Sequence, residues 1–174
     1  MACSLILSAG CSYEIPERAV DRPELRVEKP QRIDAIANRP CKLLTPQQAA
    51  GFGLDLPPRQ LPGRLGNVEC EWRSSGADVW VYISPFTDRL TLEEVYDRRE
   101  TLPYFELTKI GGYPAIVSRT EATLPVCDID LKPADRQSVT VSYDATAFNQ
   151  EPQQGCVVGK QVAEAILKNL PPPS

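Results

Sequence analysis

The sequence predicts an α+β domain, an antiparallel sheet of five to six strands with helices packed on it, and three observations lead there. Short runs of alternating apolar and polar residues recur between residues 68 and 143. Turns of a few residues link these runs, which suits antiparallel neighbours. Helical signals stand apart from the strand runs, in the order α-ββ-α-ββββ-α, with no βαβ alternation.

The first helix opens at Thr45-Pro46-Gln47-Gln48, where Thr45 serves as cap, Pro46 fits the first helical position, and Gly51 or Gly53 ends the helix. Residues 56–66, rich in proline and glycine, read as loop. Val68 to Arg73 then alternates, with Val68, Cys70 and Trp72 inward, and Ser74-Ser75-Gly76 turns the chain back. The run from Asp78 to Ile83 is apolar on both faces, Val79, Val81 and Ile83 on one and Trp80 and Tyr82 on the other, which suits a central strand.

Thr91 caps a helix over Leu92-Glu93-Glu94-Val95-Tyr96-Asp97-Arg98-Arg99. Its glutamates lie in the first turn and its two arginines in the last, as the helix dipole favours. Phe105–Thr108 and Ala115–Val117 flank Gly111-Gly112, a hairpin signature. Val126–Leu131 and Ser138–Tyr143 form a second pair around Lys132-Pro133-Ala134-Asp135. Cys156 to Leu170 is the longest helical pattern, with Val158, Val162, Ala165 or Ile166, and Leu170 on one stripe, stopped by the prolines from Pro171.

Composition sets bounds on function. The chain has 174 residues, 42% hydrophobic and 24% charged, enough for one packed domain. Its net charge of −4 gives no basic footprint for nucleic acid. Histidine is absent. That removes Ser-His and Cys-His nucleophile activation and any imidazole ligand for zinc. The expectation is therefore no catalytic residue, no metal and no cofactor.

The N-terminus gives an address. Leu7-Ser8-Ala9-Gly10-Cys11 reads as a lipobox, with Cys11 the residue that takes the lipid. No Lys or Arg precedes Arg18 and the apolar run is short, so the recorded start is expected to lie inside the signal. Three segments follow: residues 1–11 as residual signal and lipobox, 12–39 as a Pro-rich charged tether, and 40–171 as the α+β domain. The tether reading rests on Pro16, Pro23, Pro30 and Pro40 among alternating charges.

Apart from Cys3 and Cys11, four cysteines remain, none in a CxxC pattern. In an exported domain an even count favours two disulfides, and three connectivities are open. The favoured one is Cys41–Cys70 with Cys127–Cys156, each joining a helix-associated segment to a strand about 30 residues away.

The ordered set Pro40-Cys41-Lys42-Leu43-Leu44-Thr45, Cys70-Glu71-Trp72, Gly112-Tyr113-Pro114-Ala115, Cys127, Cys156 and Lys168-Asn169-Leu170-Pro171 resembles the actinobacterial lipoprotein family known as domain of unknown function 3558. The resemblance implies envelope lipoproteins with an antiparallel-sheet fold similar to the Mog1/PsbP-like group. It implies no activity, and so no catalytic residue to transfer.

Four places invite chemistry. Cys70-Glu71-Trp72 offers a pocket wall with Trp72 as a stacking platform, but a Trp beside a disulfide is more simply core. Asp128 and Asp130 share a strand face and suit acid–base work or calcium, yet two ligands are not six, and a solvent-facing strand edge is the plainer expectation. Gly111-Gly112 is a turn rather than a phosphate cradle. Ser118-Arg119 and Ser138 lack a lysine in an S-x-x-K pattern.

The expected function is thus a lipid-anchored binding or interaction module on the extracytoplasmic face of the cell membrane. Its partner would be an envelope protein such as a secretion component, a cell-wall polymer or a small lipid. An accessory envelope protein without a pocket is the alternative, and a His-free carboxylate enzyme the third.

Overall fold

The computed structural model describes residues 22–76, 78–89, 91–145 and 152–171. The lipobox with Cys11 and the first part of the tether lie outside the described residues. Seven strands form one sheet: β1 (Arg59–Pro62), β2 (Val68–Arg73), β3 (Trp80–Phe86), β4 (Tyr104–Ile110), β5 (Tyr113–Arg119), β6 (Val126–Ala134) and β7 (Gln137–Asp144). Their spatial order is β1-β2-β3-β7-β6-β5-β4, and each neighbouring pair is antiparallel. The fold is α+β, with one or two more strands than the sequence suggested. The added strand is β1, at the edge of the sheet. Its prolines read as loop, but Pro62 sits at the end of an edge strand, where a missing ladder donor is tolerated.

The chain lays down β1, β2 and β3 in succession and then crosses one face through α3 (Thr91–Asp97) to the far edge. From β4 it winds back, hairpin by hairpin, until β7 pairs with β3 from Trp80↔Asp144 to Phe86↔Ser138. Gly111 and Gly112, at φ of 58° and 88°, make the tight β4–β5 turn that the sequence predicts. Helix α4 (Pro152–Leu167) then packs on the opposite face. It starts earlier and stops sooner than the apolar stripe suggested. Past its end, the Asn169 side-chain amide donates to Leu43 O at 2.9 Å and to Gln48 Oε1 at 2.7 Å.

Alternation divides the sheet into two unlike faces. Cys70, Trp72, Val81, Ile83, Cys127, Ile129, Leu131, Val139 and Val141 all join the main core, with Val162, Ala163 and Ile166 of α4. The same core takes Leu43, Leu44 and Ala49 from around α2 (Pro46–Gly51). This helix begins with the expected cap: Thr45 Oγ1 accepts from Gln48 N at 3.2 Å and Gln48 Oε1 accepts from Thr45 N at 2.8 Å. Both disulfides lie on this face. Cys41, in a 3-10 turn over Pro40–Lys42, is bonded to Cys70, and Cys127 to Cys156. Trp72 is core here, 2% exposed and packed with the α4-side residues.

The other face has a small apolar cluster, Leu25, Leu92, Val95 and Ile116, where α3 meets β5. Leu25 comes from the segment expected to run as a tether, and so does Ile33, fully buried in the main core. From Arg22 onward that segment is laid along the domain. The Arg22 guanidinium stacks over Tyr96 and donates to Asp97 and to Glu93 O. The chain then rounds the end of the sheet, Gln31 N donating to Pro133 O at 2.8 Å, and passes through α1 (Asp34–Ala37) to the α4 side.

Helix α3 ends at Asp97 rather than Arg99, so its last turn carries no arginine. Arg99 still serves that end: it opens a 3-10 turn, donates from Nη1 to Tyr96 O at 3.0 Å, and lies over the Tyr96 ring. Arg98 is left free to turn toward the sheet.

Candidate functional site

Because α3 is short, it covers only part of its face, and the uncovered part is polar. The β5–β6 and β6–β7 registers set Ser118 opposite Asp128 and Asp128 opposite Ser142, while Asp130 stands opposite Thr140. On the far side β3 places Ser84 opposite Thr140. These side chains floor a half-open cleft of about 490 Å³ between α3 and the loop bearing Arg64 and Leu65. Phe86 and Val95 supply apolar wall, and Arg98 stands at the mouth.

The two aspartates are therefore not on a solvent-facing edge. Strand β6 has partners on both sides, and Asp130 is 3% exposed. Sequence alternation showed that the two carboxylates share a face, but only the strand order decides whether that face belongs to an edge or an interior strand. Thr140 Oγ1 donates to Asp130 Oδ1 at 2.6 Å, and Ser142 Oγ donates to Asp128 Oδ1 at 2.5 Å.

Burial pushes the Asp130 carboxyl up to about 7; the Thr140 hydrogen bond works against this, the neighbouring Asp128 charge adds to it, and Arg98 again opposes it. Asp128 is raised as well, chiefly by burial, against the Ser142 hydrogen bond and Arg98. A carboxyl that titrates near neutrality inside a cleft marks a functional candidate.

Two further residues of the cleft escaped the sequence reading in this role. Ser84 and Ser118 are 9% and 3% exposed, both line the cleft, and neither side chain has a hydrogen-bond partner among the described residues. Ser118 drew notice only as a hydrolase nucleophile; the signal available for Ser84 was its place at the end of Val81-Tyr82-Ile83-Ser84. Neighbouring Arg119 faces away, over the Tyr104 ring, and donates to Ala122 O at 3.1 Å. Ser138 is buried, its hydroxyl without a partner among the described residues, and lies outside the cleft.

No group of three or more metal-ligating side chains occurs among the described residues. No helix among them is long and apolar enough to cross a membrane. Residues 6–169 match the family model described as Protein of unknown function (DUF3558). No curated protein and no solved structure matches the chain.

Proposed function

Because the chain belongs to the DUF3558 family of proteins of unknown function, whose description prescribes no activity, we propose from its own residues that it is a lipid-anchored binding module of the actinobacterial cell envelope. Cys11 takes the lipid, the domain stands on the extracytoplasmic face of the membrane, and the α3-side cleft is the binding face. The observation that carries the binding role is the cleft floor, where Asp128 and Asp130 each pair one carboxylate oxygen with a hydroxyl and keep the other unpaired, beside the hydroxyls of Ser84 and Ser118, unpartnered among the described residues. A carboxyl buried as deeply as Asp130 is kept at a cost in stability, which selection for packing alone does not explain. The address is supported by the Leu7-Ser8-Ala9-Gly10-Cys11 motif and by four cysteines placed to pair, which suits an oxidising compartment. The bound component is a small envelope molecule or an exposed group of a cell-wall polymer or partner protein.

A second reading, a carboxylate enzyme without histidine, is favoured by one observation: Asp130 holds a proton that exchanges near neutral pH, beside a second carboxylate. One set of measurements separates the readings. The full chain is recovered from the membranes of an actinobacterial host and weighed intact under native conditions. The binding role predicts an acylated Cys11 peptide, release by Cys11→Ala, and a small-molecule adduct that Asp128→Asn/Asp130→Asn removes. Recovery in the cytosol, unacylated, with Cys41, Cys70, Cys127 and Cys156 open to alkylation without reductant would overturn the address. An adduct that is released chemically altered by the native protein and unaltered by the double variant would favour the enzyme.

A further inference from the structure

The charges on the cleft face are balanced unevenly. Buried Glu71 is paired with Arg59 at 2.7 Å and Arg73 at 3.2 Å, and Glu93 with Lys132 at 2.7 Å. Asp130, which is 3% exposed and deeper than Glu93, and the half-buried Asp128 beside it form no ion pair among the described residues. Each uses one oxygen to accept from a hydroxyl and keeps the other open. A buried carboxylate without a direct ion pair is costly, and the same fold pairs other carboxylates directly.

The hydroxyls of Ser84 and Ser118 stand with the pair. Both are more than nine-tenths buried, both line the cleft, and both are unpartnered among the described residues. Ser118 lies one strand from Asp128 and Ser84 two strands from Asp130, roughly 5 and 10 Å at ordinary strand spacing. Accepting oxygens thus sit at the centre, with groups that both donate and accept to either side.

We propose that the cleft takes a small organic cation bearing hydroxyl groups, its ammonium seated at Asp128 and Asp130 and its hydroxyls reaching Ser118 and Ser84. This rests on the reading of the cleft as a ligand site. The ammonium supplies the direct ion pair that Arg98, acting from the exposed mouth, does not make, and the hydroxyls satisfy the two serines. An anion is disfavoured, because Arg89 is held by Glu94 at 2.8 Å and Arg64 and Arg98 stand exposed at the mouth, leaving two carboxylates where the anion would rest.

Three probes with one carbon skeleton separate the possibilities: glucamine carries the ammonium, sorbitol is neutral, and gluconate carries a carboxylate. Each is titrated into the folded protein and followed by backbone amide shifts. Glucamine is expected to move Ser118, Asp128, Asp130 and Thr140, and to bind at least about tenfold more tightly than sorbitol, as one desolvated charge contact implies. Asp128→Asn and Asp130→Asn, both near-isosteric, should each abolish that preference, and Glu164→Gln on the exposed side of α4 should leave it intact.

Asp130 faces Asp128 and Arg98, with Glu69 from β2 and Glu94 from α3 also lining the cleft. With Asp130 titrating at about 7, glucamine should bind about tenfold more weakly at pH 6 than at pH 8. Equal binding of sorbitol, or tighter binding of gluconate at the same amides, would overturn the cation while keeping a ligand cleft. Silence from all three probes would also overturn it; the binding role is then decided by the native-mass measurement, which uses none of them.

Discussion

The two faces of the sheet are made from the same strands, residue by residue in alternation, and they solve opposite problems. On the α4 side, Val139, Val141, Ile129 and Leu131 meet a four-turn helix, and both disulfides tie their elements to that layer. On the α3 side the intervening residues are Thr140, Ser142, Asp128 and Asp130, and a seven-residue helix covers part of them. One face is closed by apolar packing and covalent bonds. The other is held by ion pairs and a small cluster, and it leaves polar groups unanswered. The difference teaches that stability has been concentrated on one side, so that the other can keep an arrangement that folding alone would discard.

The largest expected effect comes from breaking the closed face. Each disulfide spans 29 residues in sequence, and a loop of that size is worth about 3–4 kcal/mol in the chain-entropy model. Against a total of about 5–15 kcal/mol for a domain, losing both removes much of the stability. Urea unfolding with and without reductant, and of Cys127→Ser/Cys156→Ser, measures this. A midpoint that barely moves would mean the α4 layer holds by packing alone.

The open face should respond in the other direction. A carboxyl raised from 3.8 to about 7 by burial binds a proton in the folded protein that the unfolded chain has already released. Folding stability contributed by this group is therefore full below about pH 4, falls as pH rises toward 7, and stays low above it. One pKa unit corresponds to about 1.4 kcal/mol, so Asp130→Asn should stabilise the protein at pH 8 by about 2–4 kcal/mol and flatten the slope between pH 5 and 8. Asp34 and Asp55, held below the usual range by hydrogen bonds from Gln137 and Ser75, act oppositely and only at lower pH. A variant no more stable than its parent at pH 8 would show that Asp130 is already compensated in the empty protein.

Much of this division was legible in the sequence. Val139-Thr140-Val141-Ser142-Tyr143 and Cys127-Asp128-Ile129-Asp130-Leu131 announce one apolar and one polar face each. What alternation cannot announce is which strands become neighbours. The β3–β7 pairing joins residues some 60 positions apart, and it alone brings Ser84 to Thr140 and makes β7 interior, while β6 is enclosed by its own neighbours β5 and β7. The same limit hid β1, whose prolines are compatible with an edge, and the burial of Leu25 and Ile33, two apolar residues in a stretch whose composition reads as solvated. The cysteines were easier, because a pairing close in sequence needs less of the global topology.

The smallest expected effect tests whether the faces are independent. Lys132 on β6 holds Glu93 of α3 at 2.7 Å, and Asp135 lies at 3.5 Å from the same ammonium. The pair is largely shielded, at 10% and 21% side-chain exposure, so Lys132→Gln should cost more than a surface pair, about 1 kcal/mol. If α3 opens as its own unit, that cost appears there, with amide exchange at Val95 and Tyr96 quickening about fivefold. Exchange at Val162 and Ile166 in α4 should stay at the parental rate, because the bonds and contacts of that layer do not pass through Lys132. Equal quickening in both helices would mean that α3 and α4 open together, and that the cleft is as rigid as the core beneath it.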